Sequence, residues 1–215
     1  MRNSVRQSYD QLAIEYAQRL YGELAHKPFD RNILNWLIER IPNYTLICDM
    51  GCGPGQVARY LHDHGTKVCG IDLSPGMIAQ ASALSPIIDF QTGDMTRLEN
   101  IADASYGGIA AFYSIVHLRA EQLPAAFDEF RRVLQDDGVL LLAFHVGDEV
   151  RHFDLLWEIP VELDFIFFQT STIVDLLTAA GLKVTEVIER WPYPEPVEVQ
   201  TRRAYIFAVK SSEPS

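Results

Sequence analysis

The stretch LICDMGCGPGQVARYL, Leu46 to Leu61, decides how the chain reads. Small and apolar residues lead to an acid, Asp49. Glycines then alternate at Gly51, Gly53 and Gly55, and a helical pattern starts at Gln56. Glycine lets the turn be sharp and lets backbone approach a ligand without a Cβ, while amides that open a helix carry partial positive charge. A dinucleotide fingerprint needs glycines at its first, third and sixth positions, but counted from Gly51 the sixth is Gln56. The pattern is D-x-G-x-G-x-G instead.

Outward from this turn, strands and helices alternate. Apolar, β-branched or small-residue runs at Tyr44–Met50, Lys67–Asp72, Ile87–Thr92, Gly108–Tyr113 and Val139–His145 read as strands. Helical patterns cover Gln56–His64, Pro75–Leu84, Ala125–Leu134 and Thr172–Ala180, with Asp137-Gly138 ending one helix and Gly181 capping another. Such alternation predicts an α/β three-layer sandwich, a mostly parallel sheet covered on both faces. KVTEVIER and RRAYIFAVK add two strands with no helix between them, because WPYPEPVEVQT holds three prolines. That pair is expected to enter one edge of the sheet as an antiparallel hairpin.

Two segments fall outside the sandwich: an N-terminal helical region within Val5–Arg40, and residues 146–169. The expected organisation is an N-terminal helical cap over residues 1–30, a main domain over 31–210 with 146–169 as a lid insertion, and a disordered tail over 211–215. No internal repeat is present.

With 48% hydrophobic residues, the 215-residue chain can bury a full core. It lacks both an apolar run long enough to span a bilayer and the apolar segment of a secretory signal, so a soluble, cytoplasmic protein with no membrane partner is expected. A net charge of −11 argues against a nucleic-acid partner. Cys48, Cys52 and Cys69 cannot make a disulfide framework and have no partner pair or His cluster for zinc. Buried reduced thiols and no metal are expected.

Ligands of open parallel sheets bind beyond the carboxyl ends of the strands. Asp72, ending the second strand about twenty residues after Gly51, either accepts hydrogen bonds from a ribose diol or caps the next helix, a task for which Ser74 is better placed. Asp94 follows the third strand and can accept from an exocyclic amino group, with Met95 offering a soft apolar surface. Three acids, Asp49, Asp72 and Asp94, thus end three successive strands.

These segments resemble the class I methyltransferases dependent on S-adenosylmethionine, over roughly Asn32 to Lys210. The resemblance is carried by CDMGCGPG, GIDLSPGMI, GDM and RRVLQDDGVLLLAF, and YDQLAIEYAQRL is similar to the N-terminal helix of small-molecule members. It implies a Rossmann-like, seven-stranded sheet with the last strand antiparallel. It also implies S-adenosylmethionine as cofactor, with S-adenosylhomocysteine as its product. Gly51, Gly53 and neighbouring backbone would approach the methionine part, Asp72 the ribose and Asp94-Met95 the adenine, with Leu73 and Met77 as apolar neighbours of the base and Asp49 and Cys52 as further cofactor-binding candidates. One departure is YGGIAAFYSIVHL, where Gly107 and Gly108 stand in place of an acid common before the fourth strand.

Methyl transfer from a sulfonium is an in-line displacement, and a base matters only if the nucleophile must lose a proton. Tyr113, Ser114 and His117 follow the fourth strand and His145 closes the fifth, so all four are expected on the transfer side. His117 and His145 are the catalytic candidates, set against plain packing or hydrogen-bonding roles. Tyr113 and Ser114 are cofactor-side candidates. Tyr9 and Tyr16, seven residues apart on one helical face, either cover the cofactor or pack in the core. The aromatic and charged residues of 146–169 suit a partly apolar small-molecule acceptor or a homodimer contact. A methyltransferase is the leading reading. A non-catalytic protein binding S-adenosylmethionine or S-adenosylhomocysteine is the alternative, and a nucleic-acid enzyme is opposed by charge and by the absence of an Asn-Pro-Pro-Tyr-type signature.

Overall fold

The computed structural model describes residues 2–42 and 44–211, and the side chains of residues from Ser4 onward within them. Seven strands form one sheet in the order β3-β2-β1-β4-β5-β9-β8: β1 (Leu46–Met50), β2 (Lys67–Asp72), β3 (Asp89–Thr92), β4 (Tyr106–Phe112), β5 (Leu134–His145), β8 (Leu182–Arg190) and β9 (Arg203–Lys210). All neighbours up to β5 pair in parallel, and β9 runs antiparallel to both β5 and β8. The strand order reverses between β1 and β4, which opens a crevice at their carboxyl ends.

The two faces of the sheet alternate residue by residue. On β5, Leu140, Leu142 and Phe144 pack against α5 (Leu123–Val133) and α6 (Thr170–Ala179). Val139, Leu141 and Ala143 face the opposite core, shared with α2 (Pro28–Arg40) and α3 (Gln56–Asp63). A period of two with both faces apolar is what a doubly covered strand requires. The Gly107-Gly108 departure has a packing reason: a Cβ on Gly108 would lie 2.1 Å from Ile41 Cδ1, where the end of α2 presses on β4.

Several features differ from the sequence reading. α5 stops at Val133, where its buried stripe of Ala126, Phe127, Phe130 and Val133 ends, and Leu134 is already extended. Asp137-Gly138 therefore lies within β5, with Asp137 at φ 62°, and the β4/β5 register slips between Tyr106 and Gly108. The closing pair does enter at one edge, but β9 is its inner strand and β8 the edge. RAYIFAVK is buried through its first six residues, whereas LKVTEVIER alternates. α2 runs across residues 30/31, and its Ile33, Leu34 and Leu37 pack into the core on one face of the sheet. The expected tail lies outside the described residues, Ser211 apart.

Residues 146–169 fold into a hairpin of their own, β6 (Val150–Leu156) and β7 (Ile159–Ile166). Its two-residue turn, Trp157-Glu158, has both φ angles positive, at 51° and 66°, as type I′ turns demand. Neither residue is a natural occupant of that conformation. The cost is offset at the tip, where the Trp157 ring meets Tyr16 edge-on at 5.8 Å and the Arg19 guanidinium lies 5.3 Å from its centroid. Tyr16 and Arg19 belong to α1 (Arg2–Leu20), so helix and hairpin together roof the carboxyl end of the sheet. A further link runs from the Glu162 N–H to the Ser8 hydroxyl, 2.9 Å.

Candidate functional site

One cleft of about 990 Å³, its open mouth included, lies under this roof. Every cofactor-side residue selected from the sequence lines it: Tyr16, Asp49, Gly51, Cys52, Gly53, Asp72, Leu73, Met77, Asp94, Met95, Tyr113 and Ser114. Of the two histidine candidates, His117 lines it and His145 does not.

The glycine turn is held from both sides. Its Gly51 and Cys52 amides donate to the Ile71 carbonyl at 2.7 and 3.0 Å, bringing the turn against the end of β2. Gly51 has φ 75°, and a Cβ there would sit 2.3 Å from Ser114 Cβ. Gly53 has φ 53°, but among the described residues the one atom within 4 Å of its missing Cβ is Tyr16 Cε1 at 3.9 Å. Gly51 is thus required by packing, whereas Gly53 opens towards the cleft.

The three acids have different tasks. Asp49 is buried and its Oδ2 accepts from the Ala58 N–H at 2.9 Å, satisfying one of the open donors at the start of α3. Burial pushes its carboxyl up to about 7. Asp72 accepts from the Gly53 N–H and the Ser74 N–H, both at 2.8 Å, and burial raises its pKa against those hydrogen bonds. Ser74 itself caps α4 (Pro75–Leu84), its hydroxyl accepting from the Met77 N–H at 3.1 Å, so Asp72 is not that cap. Asp94 Oδ1 accepts from both the backbone N–H and the hydroxyl of Thr96.

On the far side of the glycine turn, the Tyr9 hydroxyl lies 2.7 Å from His117 Nε2, and His117 Nδ1 lies 2.8 Å from the Asp164 carbonyl on β7. A carbonyl only accepts, so Nδ1 carries the proton. Burial lowers the His117 pKa to about 4, leaving the ring neutral, and Nε2 therefore receives the Tyr9 O–H.

His145 turns away into a second polar cluster. Its Nδ1 lies 2.8 Å from the Thr201 hydroxyl and its ring stacks on Phe167, while burial and the neighbouring Arg203 lower its pKa to about 3. Tyr113 joins the cleft to that cluster through Tyr205, 2.9 Å away, which bonds in turn to Asp30. Arg190 donates to Glu198 through two 2.8 Å bonds and balances Asp30 at 3.1 Å.

Several lining residues gave no signal in the sequence reading. Gln56, Phe112, Leu118 and Gln122 have no spacing that marks them, although Gln56 occupies the position of the missing sixth glycine. Asp10 acts from outside the lining, its Oδ1 accepting from the Ser74 hydroxyl at 2.6 Å and the Gly76 N–H at 2.8 Å, which ties α1 to α4. Only the helix-to-helix contact reveals that role.

Residues 47–138 match the family model described as a methyltransferase domain. Residues 47–138 thus carry a methyltransferase domain of the class I S-adenosylmethionine-dependent kind. Among curated proteins similar to this chain, the malonyl-[acyl-carrier protein] O-methyltransferase of Enterobacter lignolyticus is 28% identical over 134 residues, covering 61% of this chain and 52% of that one. The S-adenosyl-L-methionine-dependent Diels-Alderase of Talaromyces variabilis is 32% identical over 116 residues, covering 51% of this chain and 38% of that one. The chain therefore spans about half the length, or less, of these two relatives. The fold is also that of the Burkholderia thailandensis 1,6-didemethyltoxoflavin-N1-methyltransferase, solved with 1,6-didemethyltoxoflavin and S-adenosylhomocysteine. The TM-score is 0.74 at 17% identity, over 98% of this chain and 88% of that one. Among the described residues, no helix is long and apolar enough to cross a membrane and no cluster suits a metal ion.

Proposed function

We propose that this methyltransferase-family chain transfers the methyl group of S-adenosylmethionine to a small-molecule acceptor. The observation that carries the reading is the convergence of Asp49, Asp72 and Asp94, from three strand ends, with the glycine turn on a single cleft. The cradle fits the cofactor: Gly53 leaves its cleft side open, and Asp72 already holds backbone donors beside it.

In this reading Asp72 takes the ribose hydroxyls, Asp94 and Met95 the adenine edge and face, and Leu73 and Met77 its apolar surround. The Gly51–Gly53 backbone serves the methionine part, Tyr16 covers it, and Tyr113 and Ser114 flank the transfer point. Asp49 works through the start of α3 rather than on the ligand. When bound, the cofactor supplies a methyl group on a sulfonium. The acids around it favour that positive charge, and the roof of α1 and hairpin keeps water from competing with the acceptor. The hairpin is the acceptor-side lid in this reading. Its Phe167 and Phe168 turn inward, leaving Val150 and Leu155 as its exposed apolar residues. A small acceptor suits the net charge of −11 better than nucleic acid does. The matching compartment is the cytoplasm, where three free cysteines stay reduced.

Thermal unfolding with S-adenosylmethionine or S-adenosylhomocysteine tests the donor reading, because a ligand of the native state raises the transition with its concentration. No shift with either compound would overturn it. The relative named for a Diels-Alder reaction favours a second reading, in which the bound cofactor is not consumed. Labelled methyl appearing in an acceptor decides for transfer.

A further inference from the structure

Two buried polar side-chain atoms of the cleft lining, Ser114 Oγ and Gln56 Oε1, have no hydrogen-bond partner among the described residues. A buried polar atom left unpaired is costly, so a lining that carries one is shaped for a ligand group that completes it. Ser114 does not say which group, because a hydroxyl donates or accepts according to its rotation. Gln56 does. Its Nε2 donates to Glu23 Oε1 at 3.1 Å, and a carboxylate only accepts. The amide is therefore pinned by its nitrogen, and the atom left over is its carbonyl oxygen, which can only accept.

Glu23 opens the short 3₁₀ turn Glu23–His26 that follows α1, outside the segment that matches the family model. Its second oxygen pairs with Lys27, which is itself buried and lies 4.0 Å from Glu198. Both oxygens of Glu23 are thus engaged away from the cleft, whose described lining does not include it. A carboxylate on the N–H side of an amide polarises it and leaves the carbonyl a stronger acceptor. Gln56 is the first residue of α3, three positions after Gly53, whose N–H is held by Asp72. Tyr16 lies over Gly53; burial, then Glu23, then Asp72 raise its pKa, so the phenol stands within range of both acids.

We infer that Gln56 receives the ammonium group of the donor's amino-acid tail, and that Glu23 is the positioning residue that keeps the Gln56 carbonyl turned to the cleft. This rests on the donor reading above, in which the ribose is held by Asp72 and the tail follows the glycine turn. The tail ends in a carboxylate, which only accepts, and an ammonium, which only donates. A carbonyl oxygen backed by Glu23 repels the first and binds the second through a charge-assisted hydrogen bond. The pair makes the site selective for the whole amino-acid tail against adenosine compounds that have lost its amino group. Gln56 is also the residue that stands where a dinucleotide fingerprint has its third glycine. The side chain that breaks that fingerprint reads a group that a dinucleotide does not carry.

Calorimetry on the full chain tests this with S-adenosylhomocysteine, its deaminated and decarboxylated analogues, and 5′-methylthioadenosine, which has no tail. The wild type is expected to bind S-adenosylhomocysteine at least about tenfold tighter than the deaminated analogue. Gln56→Leu is expected to weaken S-adenosylhomocysteine and the decarboxylated analogue alike, by about 10- to 100-fold. In that variant the deaminated analogue and 5′-methylthioadenosine are expected to stay within about twofold of wild type, which shows the adenosine site intact. Glu23→Gln offers Gln56 a donor as well as an acceptor, so the Gln56 amide can turn over. It is expected to cut the preference for the ammonium at least about threefold without moving 5′-methylthioadenosine. Equal wild-type binding of S-adenosylhomocysteine and its deaminated analogue overturns the role of Gln56, whether or not either variant folds. So does wild-type affinity for S-adenosylhomocysteine in Gln56→Leu, or a loss there that follows the carboxylate or strikes all four ligands equally. A preference that Glu23→Gln leaves intact overturns the role of Glu23. Failure of S-adenosylhomocysteine to bind the wild type removes the donor reading, and this inference with it.

Discussion

Two glycines of one turn, Gly51 and Gly53, separate packing from function when each is replaced by alanine. Both have left-handed backbone, so each substitution costs about 1–2 kcal/mol for the Cβ alone. At Gly53 nothing else is added, since the new methyl meets only Tyr16 Cε1 at 3.9 Å. At Gly51 the methyl falls 2.3 Å from Ser114 Cβ and 3.3 Å from Met95 Cε, and relieving that overlap adds about 1–3 kcal/mol. Gly53→Ala should therefore lose about 1–2 kcal/mol and Gly51→Ala about 2–5 kcal/mol. For a chain of this size those losses correspond to falls in the midpoint of roughly 2–8 °C and 4–20 °C. Urea unfolding measures them, and the same proteins are then melted with S-adenosylhomocysteine. At a hundredfold excess over its Kd the ligand should stabilise the wild type by about 2.7 kcal/mol. Gly53→Ala should lose most of that gain despite its modest instability, because its methyl points into the space the donor's backbone contacts need. Equal destabilisation by the two variants would refute the packing argument, and a full ligand shift in Gly53→Ala would refute the placement of the donor.

Asp72→Asn keeps one acceptor for the Gly53 and Ser74 amides but loses the charge. It should weaken S-adenosylhomocysteine binding by about 1.5–3 kcal/mol in calorimetry, and wild-type affinity would remove the ribose assignment. Asp49 is protonated in the folded chain but ionised in the unfolded one between about pH 4 and about 7. Its contribution to stability is full below that window and is lost as pH rises through it. Asp49→Asn, which still accepts from the Ala58 N–H, should flatten that slope in denaturant titrations, whereas Asp49→Ala should cost about 1–3 kcal/mol at pH 8, and parallel slopes would contradict the burial argument. Trp157→Ala removes the tip contacts with Tyr16 and Arg19. It should speed release of S-adenosylhomocysteine in stopped flow with a loss of global stability under about 1 kcal/mol, and an unchanged release rate would show that the hairpin tip does not latch the roof.

Much of this molecule is legible in one dimension because its signals are local. The alternation of strand and helix fixes the layers, and D-x-G-x-G-x-G with Asp72 and Asp94 marks three strand ends that a parallel sheet must bring to the same side. The errors were local as well. Asp137-Gly138 resembles a helix stop, yet burial of the α5 stripe finishes four residues earlier and the pair becomes an irregularity within β5. The hairpin was invisible because Trp157-Glu158 is no turn signature, and it forms only where α1 supplies a partner for the Trp157 ring.

The division between the two histidines was beyond the sequence. Both follow strands whose ends face the crevice, and nothing in SIVHL or LAFH separates them. His117 enters the cleft because Tyr9, 108 residues away, and the Asp164 carbonyl on the hairpin grip its two nitrogens. His145 leaves it because Thr201 and Phe167 offer a partner and a stacking surface on the other side. The sequence by itself determined the sheet, the glycine turn and the acids at its edge, since periodicity and backbone freedom are properties of neighbouring residues. The tertiary structure alone decided that Asp49 serves a helix, that His117 Nε2 accepts the Tyr9 hydroxyl, and that His145 lies outside the cleft, because those depend on contacts between residues the chain keeps far apart.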